Sequence, residues 1–390
     1  MKTSQLIRSA FCFTLSCAMM ALASMIVTTG TVTAQNTYIY GETNNSAGNS
    51  VFAYSNDGSG NMVSLTGSPF LTGGAGVLTT GGTENDADQE VIVNSAGTSL
   101  YAVDGHSNTI GEFTINADGS LTLIPGSPVA SGGHNPVSLG LTGNFLVAVN
   151  KNEDPNQDNT QTVPNYTTFT VNADGSLTMN AGSTLDLPMG SSPSQALTVP
   201  GQHAFFGMQF LIPQITNYRV KADGTLSSRG SVGPPTVDDV FLGEIIHPKK
   251  KIIYAGLPAT SQVGVYKYDS TGISLVRTVP NSGAAICWFA INAAGTRLYT
   301  SETESATITV YDLTDATTPV QLQQLALTNG ATTVSNLALD PTGSYLYALV
   351  ARTLHVLPVD GTGMISDTLT PVTLPGPLSE KPLGLAVVRK

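Results

Sequence analysis

One short cassette recurs along this chain and constrains the fold more than any other feature. Its clearest copy, residues 340–349, reads Asp-Pro-Thr-Gly-Ser-Tyr-Leu-Tyr-Ala-Leu. Pro presets the first central φ of a type I turn, and Asp and Gly suit the two ends of that turn. Because apolar runs enter and leave the turn, the cassette predicts a β-hairpin. The six copies, some of them looser, are residues 94–103, 141–149, 200–208, 247–255, 292–300 and 340–349.

A second element follows each copy of the cassette. It is an alternating, strand-like run that ends in a turn, in most copies a Gly turn such as Asn116-Ala117-Asp118-Gly119, and a further short run comes after the turn. Each repeat therefore predicts four short antiparallel strands. The repeats are about 45 to 60 residues apart, measured between the anchors Leu100, Leu146, Phe205, Ile253, Leu298 and Leu346. Four strands at this period are typical of a β-propeller blade, whereas a β-sandwich would not repeat the same cassette.

The two ends of the chain decide the number of blades. Residues 383–388 match the run that elsewhere precedes the turn, and residues 37–42 match the strand that elsewhere follows it. If these strands pair, they close the ring and remove a free sheet edge. We therefore expect an all-β, seven-bladed β-propeller over residues 35–390. It should have four antiparallel strands per blade, and the N- and C-terminal strands should pair in one blade.

The first 34 residues are predicted to be a signal peptide. Lys2 and Arg8 flank the start, residues 11–27 are mostly apolar, and the small residues Val32 and Ala34 fit a cleavage site. An uncleaved membrane anchor is the alternative, but polar residues interrupt the apolar run. We expect a secreted or periplasmic monomer with no membrane span after the signal is removed.

Charge and cysteine content restrict the partners and the chemistry. The net charge of −11 and the 11% of charged residues argue against binding to nucleic acid or to an anionic membrane. Cys12 and Cys17 lie in the signal peptide, so the mature chain keeps Cys287 alone and cannot form an internal disulfide. Cys287 lies in an apolar run, which favours a buried, inert thiol over a nucleophile.

Two acidic insertions interrupt the regular spacing. One, residues 81–90, carries Glu84, Asp86, Asp88 and Glu90, and the other, residues 150–165, carries Glu153, Asp154 and Asp158. Carboxylates at alternate positions can bind Ca²⁺ through oxygen atoms. No full calcium-loop motif is present, so a solvated acidic loop is the simpler interpretation. We expect no cofactor, with Ca²⁺ bound by the first loop as the alternative.

The candidate functional residues lie where loops gather at one mouth of the channel. In a propeller the loops before the first strand and after the second fall on the same face, which is the natural ligand site. The candidates for general acid or base are Asp104, His134 and Glu302. The candidate ligand-binding residues are His106, Asn135, Asn150, Gln195 and Gln209. The alternative for each is a polar residue that caps an exposed strand.

The blades resemble those of the lactonase family of seven-bladed propellers, which includes 6-phosphogluconolactonases and carboxymuconate cyclases. The resemblance covers essentially the whole mature chain, and the related YVTN-type propellers share much of the same cassette. The most family-like segments are residues 118–122 (Asp-Gly-Ser-Leu-Thr) with 126–128 (Gly-Ser-Pro), residues 174–178, and the Leu-Tyr-Ala strands. These are framework motifs, so they imply the fold more than the activity.

The resemblance also implies where a catalytic set would lie. The active members use a His after Pro, an Arg and a His in a Gly-Pro-Arg-His segment, a Glu that ends a strand and an Arg that ends a later one. These positions fall at Ser194, near residues 240–243, near Pro258 and near Thr303. No Arg occurs in these windows, although an anionic lactone would require an Arg fork. The scaffold is kept, and the catalytic set is not.

Two functions remain from the sequence alone. The first is a non-catalytic, exported propeller that binds a small molecule, a glycan or a protein through the channel-mouth loops. The second is a divergent lactone hydrolase that uses Asp104, His134 or Glu302 as acid or base on a sugar lactone or another lactone. The missing Arg favours the first, because similarity of fold is a weak argument for activity.

Overall fold

The structure, a computed structural model, describes residues 36–78, 83–328, 330–377 and 380–390. The predicted signal peptide, residues 1–34, lies outside the described residues. Within the described residues the secondary structure consists of β-strands arranged in seven separate sheets. The prediction of an all-β fold is therefore confirmed.

The strands are grouped into blades in chain order. Blade 1 contains β1 (Thr37–Glu42), β2 (Ser50–Asn56), β3 (Met62–Ser64) and β4 (Phe70–Leu71). Blade 2 contains β5 (Val91–Val93), β6 (Ser99–Asp104), β7 (Thr109–Ile115), β8 (Leu121–Leu123) and β9 (Val129–Ala130). Blade 3 contains β10 (Pro136–Thr142), β11 (Phe145–Asn150), β12 (Asn165–Val171), β13 (Leu177–Met179) and β14 (Leu185–Asp186). Blade 4 contains β15 (Pro193–Thr198), β16 (Ala204–Gln209), β17 (Gln214–Val220) and β18 (Leu226–Val232).

The remaining blades follow the same order. Blade 5 contains β19 (Glu244–Ile246), β20 (Ile252–Leu257), β21 (Gln262–Tyr268) and β22 (Ile273–Pro280). Blade 6 contains β23 (Ile286–Ile291), β24 (Arg297–Glu302), β25 (Thr307–Asp312) and β26 (Val320–Ala326). Blade 7 contains β27 (Val334–Leu339), β28 (Tyr345–Val350), β29 (Thr353–Pro358) and β30 (Val372–Thr373). The last strand, β31 (Leu383–Arg389), returns to blade 1.

The ring closes as the sequence predicts. Strand β31 pairs with β1 in an antiparallel ladder that places Tyr38 opposite Val388. The innermost strand of each blade contacts the innermost strands of the two neighbouring blades, from β31 and β5 round to β27 and β31. The fold is therefore a seven-bladed β-propeller in which both ends of the chain share one blade. The six anchor residues of the cassettes are all fully buried.

The outermost strand differs from the prediction in blades 1 to 3. There, two short segments pair with the third strand, separated by a turn that in blades 1 and 2 contains a cis Ser-Pro bond. A serine in each break accepts a hydrogen bond from a third-strand N–H: Ser68 from Ala53 (2.8 Å), Ser127 from Glu112 (2.8 Å) and Ser183 from Thr168 (3.3 Å). The serine thus satisfies the donor that the interrupted ladder leaves free.

The turn between the third and fourth strands has the same chemistry in all seven blades. In each, an Asp Oδ1 accepts hydrogen bonds from the backbone N–H and the hydroxyl of the Ser or Thr two positions later, as an Asx turn does. The Asp residues are Asp57, Asp118, Asp174, Asp223, Asp269, Asp315 and Asp360. These hydrogen bonds lower the pKa of every one of the seven carboxyl groups.

The tyrosine of the Leu-Tyr-Ala strands links each blade to the next. In blades 1, 2, 5 and 6 its hydroxyl donates to a backbone carbonyl in the neighbouring blade's outer turn, as Tyr101 does to Gly175 (2.7 Å) and Tyr254 to Ala316 (2.8 Å). In blade 7 the hydroxyl of Tyr347 instead accepts a hydrogen bond from Asn56 Nδ2 (2.9 Å). Blades 3 and 4 lack this tyrosine. Thr168 instead donates to Gly224, and Asn217 to the carbonyl of Asp269. The tyrosine repeat therefore reflects contacts between blades as well as burial.

Candidate functional site in the central channel

The carboxyl group of Asp104, predicted at the channel mouth, is enclosed by polar side chains. It ends β6, is fully buried and accepts hydrogen bonds from Asn49 Nδ2 (3.1 Å), Thr72 Oγ1 (2.6 Å) and Thr109 Oγ1 (3.2 Å). Burial raises the pKa of Asp104 to about 6, although these bonds favour the ionised form. Asn49 and Thr72 belong to blade 1 and Thr109 to blade 2, so the carboxyl group links the two blades.

Glu302 is held in the same way at the end of β24. It is fully buried and accepts hydrogen bonds from Thr300 Oγ1 (2.6 Å), Thr307 Oγ1 (2.7 Å) and Asn281 Nδ2 (2.8 Å). Burial raises the pKa of Glu302 as well. The two carboxyl groups therefore lie in blades 2 and 6 with separate sets of partners.

The two histidines predicted at the mouth contact the second acidic insertion. His106 Nδ1 lies 2.6 Å from Asp154 Oδ2, and His134 Nδ1 lies 3.2 Å from Thr162 Oγ1. His106 is partly exposed, whereas Asp154 is fully buried. None of the hydrogen bonds among the described residues joins His134 to Asp104 or Glu302. The insertion folds onto the loops of blades 2 and 3 and engages both imidazole rings.

The four amide side chains predicted at the mouth are all buried. Asn150 donates to Asn165 Oδ1 (2.8 Å), which lies in its own blade. Gln195 bridges two elements, because its amide nitrogen donates to Gln89 Oε1 (3.1 Å) and to the carbonyl oxygen of Glu244 (3.0 Å). Gln209 and the Nδ2 of Asn135 have no hydrogen-bond partner among the described residues.

The first acidic insertion closes the mouth of the channel. We call its described part, residues 83–90, the plug segment. Its backbone carbonyls accept hydrogen bonds from Lys151 Nζ at Asp86 (2.8 Å) and from Trp288 Nε1 at Ala87 (2.8 Å). The N–H of Asp88 donates to the carbonyl of Ser194 (3.2 Å). These partners belong to blades 3, 6 and 4, so the segment lies across the ring.

The two insertions lie on the same face, as the sequence predicts. Thr83 Oγ1 of the plug segment donates to Glu153 Oε2 of the second insertion at 2.7 Å. The Nζ of Lys151, which is fully buried, lies 3.9 Å from the same Glu153 oxygen. Burial lowers the pKa of Lys151, and the surrounding carboxyl groups oppose that shift.

A cluster of carboxyl groups surrounds the inner side of the plug segment. Burial raises the pKa of Asp88 to about 6. The pKa of Glu90 and that of Glu244 are raised well above the usual range, mainly because both groups are buried and secondly because the charge of Asp88 is nearby. Asn336 Nδ2 donates to Asp88 Oδ1 (3.2 Å) and to Glu90 Oε2 (3.3 Å). Both carboxyl oxygens of Glu244 and the Oε1 of Glu90 have no partner among the described residues.

The space open to a ligand lies on the other side of the plug segment. A cavity of about 1,050 Å³ runs from Asp88 and Glu244 to turns of blades 2, 3 and 4 on the face opposite the mouth. Its walls are mostly apolar side chains of the inner strands, including Val93, Leu141, Leu197, Ile245, Phe289, Leu337, Leu385 and Val387. An apolar cavity with a few polar groups is typical of small-molecule sites. We take this channel, closed by the plug segment, as the candidate site.

Glu84, Asp86 and Asp88 were the candidates for binding Ca²⁺. Among the described residues, no group of three or more His, Cys, Asp or Glu side chains is arranged to hold a metal ion. No helix in the described part of the chain is long and apolar enough to span a membrane.

The resemblance assigns the lactonase catalytic set to Ser194, to residues 240–243 and to the surroundings of Pro258 and Thr303. Ser194 is buried, and its Oγ has no partner among the described residues. Phe241, in the second window, is fully buried and packs against Tyr266 with ring centroids 6.0 Å apart. Of the described arginines, Arg352 is the one in a mouth-face loop. Its guanidinium donates to the backbone carbonyls of residues 374, 376, 377 and 380.

Sequence reasoning missed the role of the plug segment. It identified residues 81–90 as an acidic loop at the mouth, but not that this loop would close the channel. Glu90 is recognisable from the sequence only as one carboxylate of the acidic loop, and Glu244 is not among the candidate residues, since it looks like an ordinary charged residue at the start of a strand.

Comparison of the sequence with protein-family models gives no match. Comparison with curated proteins also gives no match.

Solved structures share the fold over nearly the whole length. A periplasmic gluconolactonase of Pseudomonas aeruginosa matches with a TM-score of 0.69 and 16% identity, over 91% of this chain and 99% of that one. A candidate 6-phosphogluconolactonase of Bacteroides uniformis matches with a TM-score of 0.72 and 15% identity, over 91% and 100%. A protein of Lactobacillus plantarum matches with a TM-score of 0.71 and 15% identity, over 91% and 99%. At 15–16% sequence identity, the structural similarity to these proteins establishes the fold alone.

Proposed function

We propose that this protein is an exported propeller that binds a small molecule in its central channel and does not hydrolyse lactones. The observation that carries the proposal is the plug segment. It closes the mouth where the related enzymes would gather their catalytic residues, and it leaves a cavity of about 1,050 Å³ on its inner side. The fold is that of lactonase-like propellers, but fold alone does not imply their activity.

The cations near the mouth support a role without lactone chemistry. A carboxylate or phosphate on a sugar lactone needs a free, forked donor. The guanidinium of Arg352 is used by four backbone carbonyls, and Lys151 is buried beneath the plug segment. Lys381 Nζ lies 5.7 Å from the centre of the Trp288 ring, within cation–π distance. Each of these cations already has a structural partner.

Export is part of the same proposal. It is supported by the signal-like pattern of the first 34 residues. It is also in line with the neighbour of the same fold that is described as a periplasmic gluconolactonase.

A divergent lactonase is the second candidate function, and the observation that favours it is the full-length likeness to that gluconolactonase. A hydrolysis screen of purified protein against neutral and phosphorylated lactones separates the two candidates. We expect no turnover above the buffer rate. Turnover that falls with His134→Ala or Glu302→Gln would overturn our proposal and place the reaction at the mouth.

A binding measurement tests the channel directly. An uncharged apolar probe, N-phenyl-1-naphthylamine, should bind with one site per chain in equilibrium dialysis. Leu141→Trp, which fills the cavity from β10, should weaken binding at least tenfold. Leu211→Trp is the matched control, because Leu211 is 51% exposed on a mouth-face loop outside the cavity. Equal loss in both variants, or no binding to the unmodified protein, would contradict the proposal.

A further inference from the structure

The closed end of the channel carries buried carboxyl groups that lack a cation. Glu244 is 1% exposed and lines the cavity, and neither of its carboxyl oxygens has a hydrogen-bond partner among the described residues. Asp88 also lines the cavity and is partly exposed. The ion pairs among the described residues include neither of these carboxyl groups. A buried carboxyl group without a partner is costly to keep and is a marker of a binding role.

The partners that the cluster does have are neutral amide donors. Asp88 Oδ1 accepts from the N–H of Gln89 (2.8 Å) and from Asn336 Nδ2 (3.2 Å). No described residue donates to Asp88 Oδ2. The amides fix the orientation of the carboxyl group but leave its charge without compensation. A ligand that brings a positive charge would supply what the protein does not.

The walls of the cavity determine the chemical character of the ligand beyond its charged group. Apolar side chains run along the cavity, with Leu197, Phe289 and Leu385 contributed by three different blades, and polar side chains such as Thr142, Gln195 and Thr198 lie between them. From Gln195 to Pro200 along blade 4 the cavity is roughly 16 Å long at the usual rise of a strand. An unbranched hydrocarbon chain would fit the apolar side chains along this length.

We propose that the channel binds a primary amine with an unbranched aliphatic chain, its ammonium group placed between Asp88 and Glu244 and its chain along the apolar walls. This inference rests on the proposed small-molecule function and specifies its ligand class. No covalent step is involved.

Binding should depend on pH in a defined direction. The charged groups near Asp88 are Glu90 and Glu244. Besides burial, the charge of Glu244 raises the pKa of Tyr166 and of Tyr266, and the charge of Lys381 opposes the rise in the pKa of Glu90. Burial raises the pKa of Asp88 to about 6. Below that pH the group is protonated and cannot pair with ammonium. Affinity for the amine should therefore rise between pH 5 and pH 8, where the aliphatic amine itself stays protonated.

The test compares three ligands of equal chain length, octylamine, octanol and octanoate, by displacement of N-phenyl-1-naphthylamine at pH 7.5. We expect octylamine to bind at least tenfold more tightly than octanol, and octanoate to bind most weakly. Each methylene added between hexylamine and decylamine should strengthen binding about fourfold. Glu244→Gln should remove most of the preference for octylamine over octanol, and Asp88→Asn is the second variant.

The controls separate this inference from the proposed function. Asp118→Asn removes a carboxyl group at an exposed outer turn and should leave all three affinities unchanged. Emission of Trp288, the single tryptophan, shows whether each variant is folded. If octanol displaces the probe as well as octylamine does, the amine inference is wrong and the channel function stands. If the preference for octylamine survives in both carboxyl variants, the inference is also wrong. If the probe does not bind at all, the proposed function fails, and the inference fails with it.

Discussion

In four of the blades the residue that ends the second strand is polar and is held by hydrogen bonds from or to neighbouring side chains. Asp104 and Glu302 are bound by hydroxyl and amide groups, and Asn150 by another asparagine. The two carboxyl groups accept hydrogen bonds, whereas Asn150 donates through its Nδ2. Glu42 occupies the same position in blade 1 and accepts from Asn49 Nδ2 at 3.0 Å. These contacts are those expected of the alternative, in which the polar residues cap strands.

The pKa of Asp104 gives a prediction about stability at this scale. Its folded value of about 6 is above the ordinary value of 3.8, so the folded state binds this proton more tightly than the unfolded state. That contribution is fully present below pH 4 and is lost as the pH rises through 6. The difference corresponds to roughly 3 kcal/mol.

Asp104→Asn should therefore flatten the pH dependence of stability. Between pH 4 and pH 7.5 the free energy of unfolding of the natural protein should fall, and that of Asp104→Asn should fall by up to roughly 3 kcal/mol less. Urea denaturation at the two pH values measures both. Asp118→Asn, at an exposed turn, should parallel the natural protein. An Asp104→Asn profile identical to the natural one would show that ionisation of Asp104 carries no cost.

At the scale of elements, the tyrosine contacts between blades give a second prediction. Tyr254→Phe removes the hydroxyl that donates to Ala316 and leaves that carbonyl without its donor. We expect a loss of about 1–2 kcal/mol in the free energy of unfolding, measured by urea denaturation. Tyr38→Phe is the matched control, because the Tyr38 hydroxyl makes no hydrogen bond with a described residue. Equal losses in both variants would mean that removing a tyrosine hydroxyl costs the same whether or not it donates a hydrogen bond between blades.

The plug segment gives a third prediction. Lys151→Met keeps the length and apolar stem of the side chain but removes the Nζ that donates to Asp86. The segment should loosen, since one of its ties to the ring is lost, and the emission of Trp288, which donates to Ala87, should shift to longer wavelength. The free energy of unfolding should fall by about 1–3 kcal/mol. Lys221→Met, at an exposed turn, should change neither quantity, and an unshifted Trp288 spectrum in Lys151→Met would argue against a plug held by this lysine.

The cassettes and the plug segment differ in how far the sequence determines them. The cassette is predictable because its turn chemistry is local: Asp118 bonds to Ser120, two positions away, and the same pattern repeats in every blade. The plug segment depends on partners far along the chain, such as Trp288, which is 201 positions from Ala87. No local pattern encodes such a contact. The seven blades could therefore be derived from the sequence, whereas the closed mouth and the channel behind it could not.

At the scale of the whole molecule, the ladder between β1 and β31 is the contact that makes the ring continuous. It joins the two ends of the described chain, and the N–H of Lys390 donates to the carbonyl of Asn36 at 3.1 Å. Without β31, the edge of β1 would be unpaired, and blade 1 would lose its wall of the channel. The packing of blades 7 and 2 against β31 would be lost as well.

Deleting residues 383–390 should therefore abolish cooperative thermal unfolding and produce aggregates, as followed by circular dichroism and size-exclusion chromatography. A circular permutant is the matched control. In it a short linker joins Lys390 to Asn36, and new ends are opened between Thr236 and Val237, where the side chain of Val237 is 96% exposed. This cut falls between blades 4 and 5 and leaves every sheet intact, so the permutant should fold and bind the channel probe. A deletion variant that unfolds as cooperatively as the full chain would show that packing between blades is enough to hold the ring without the terminal ladder.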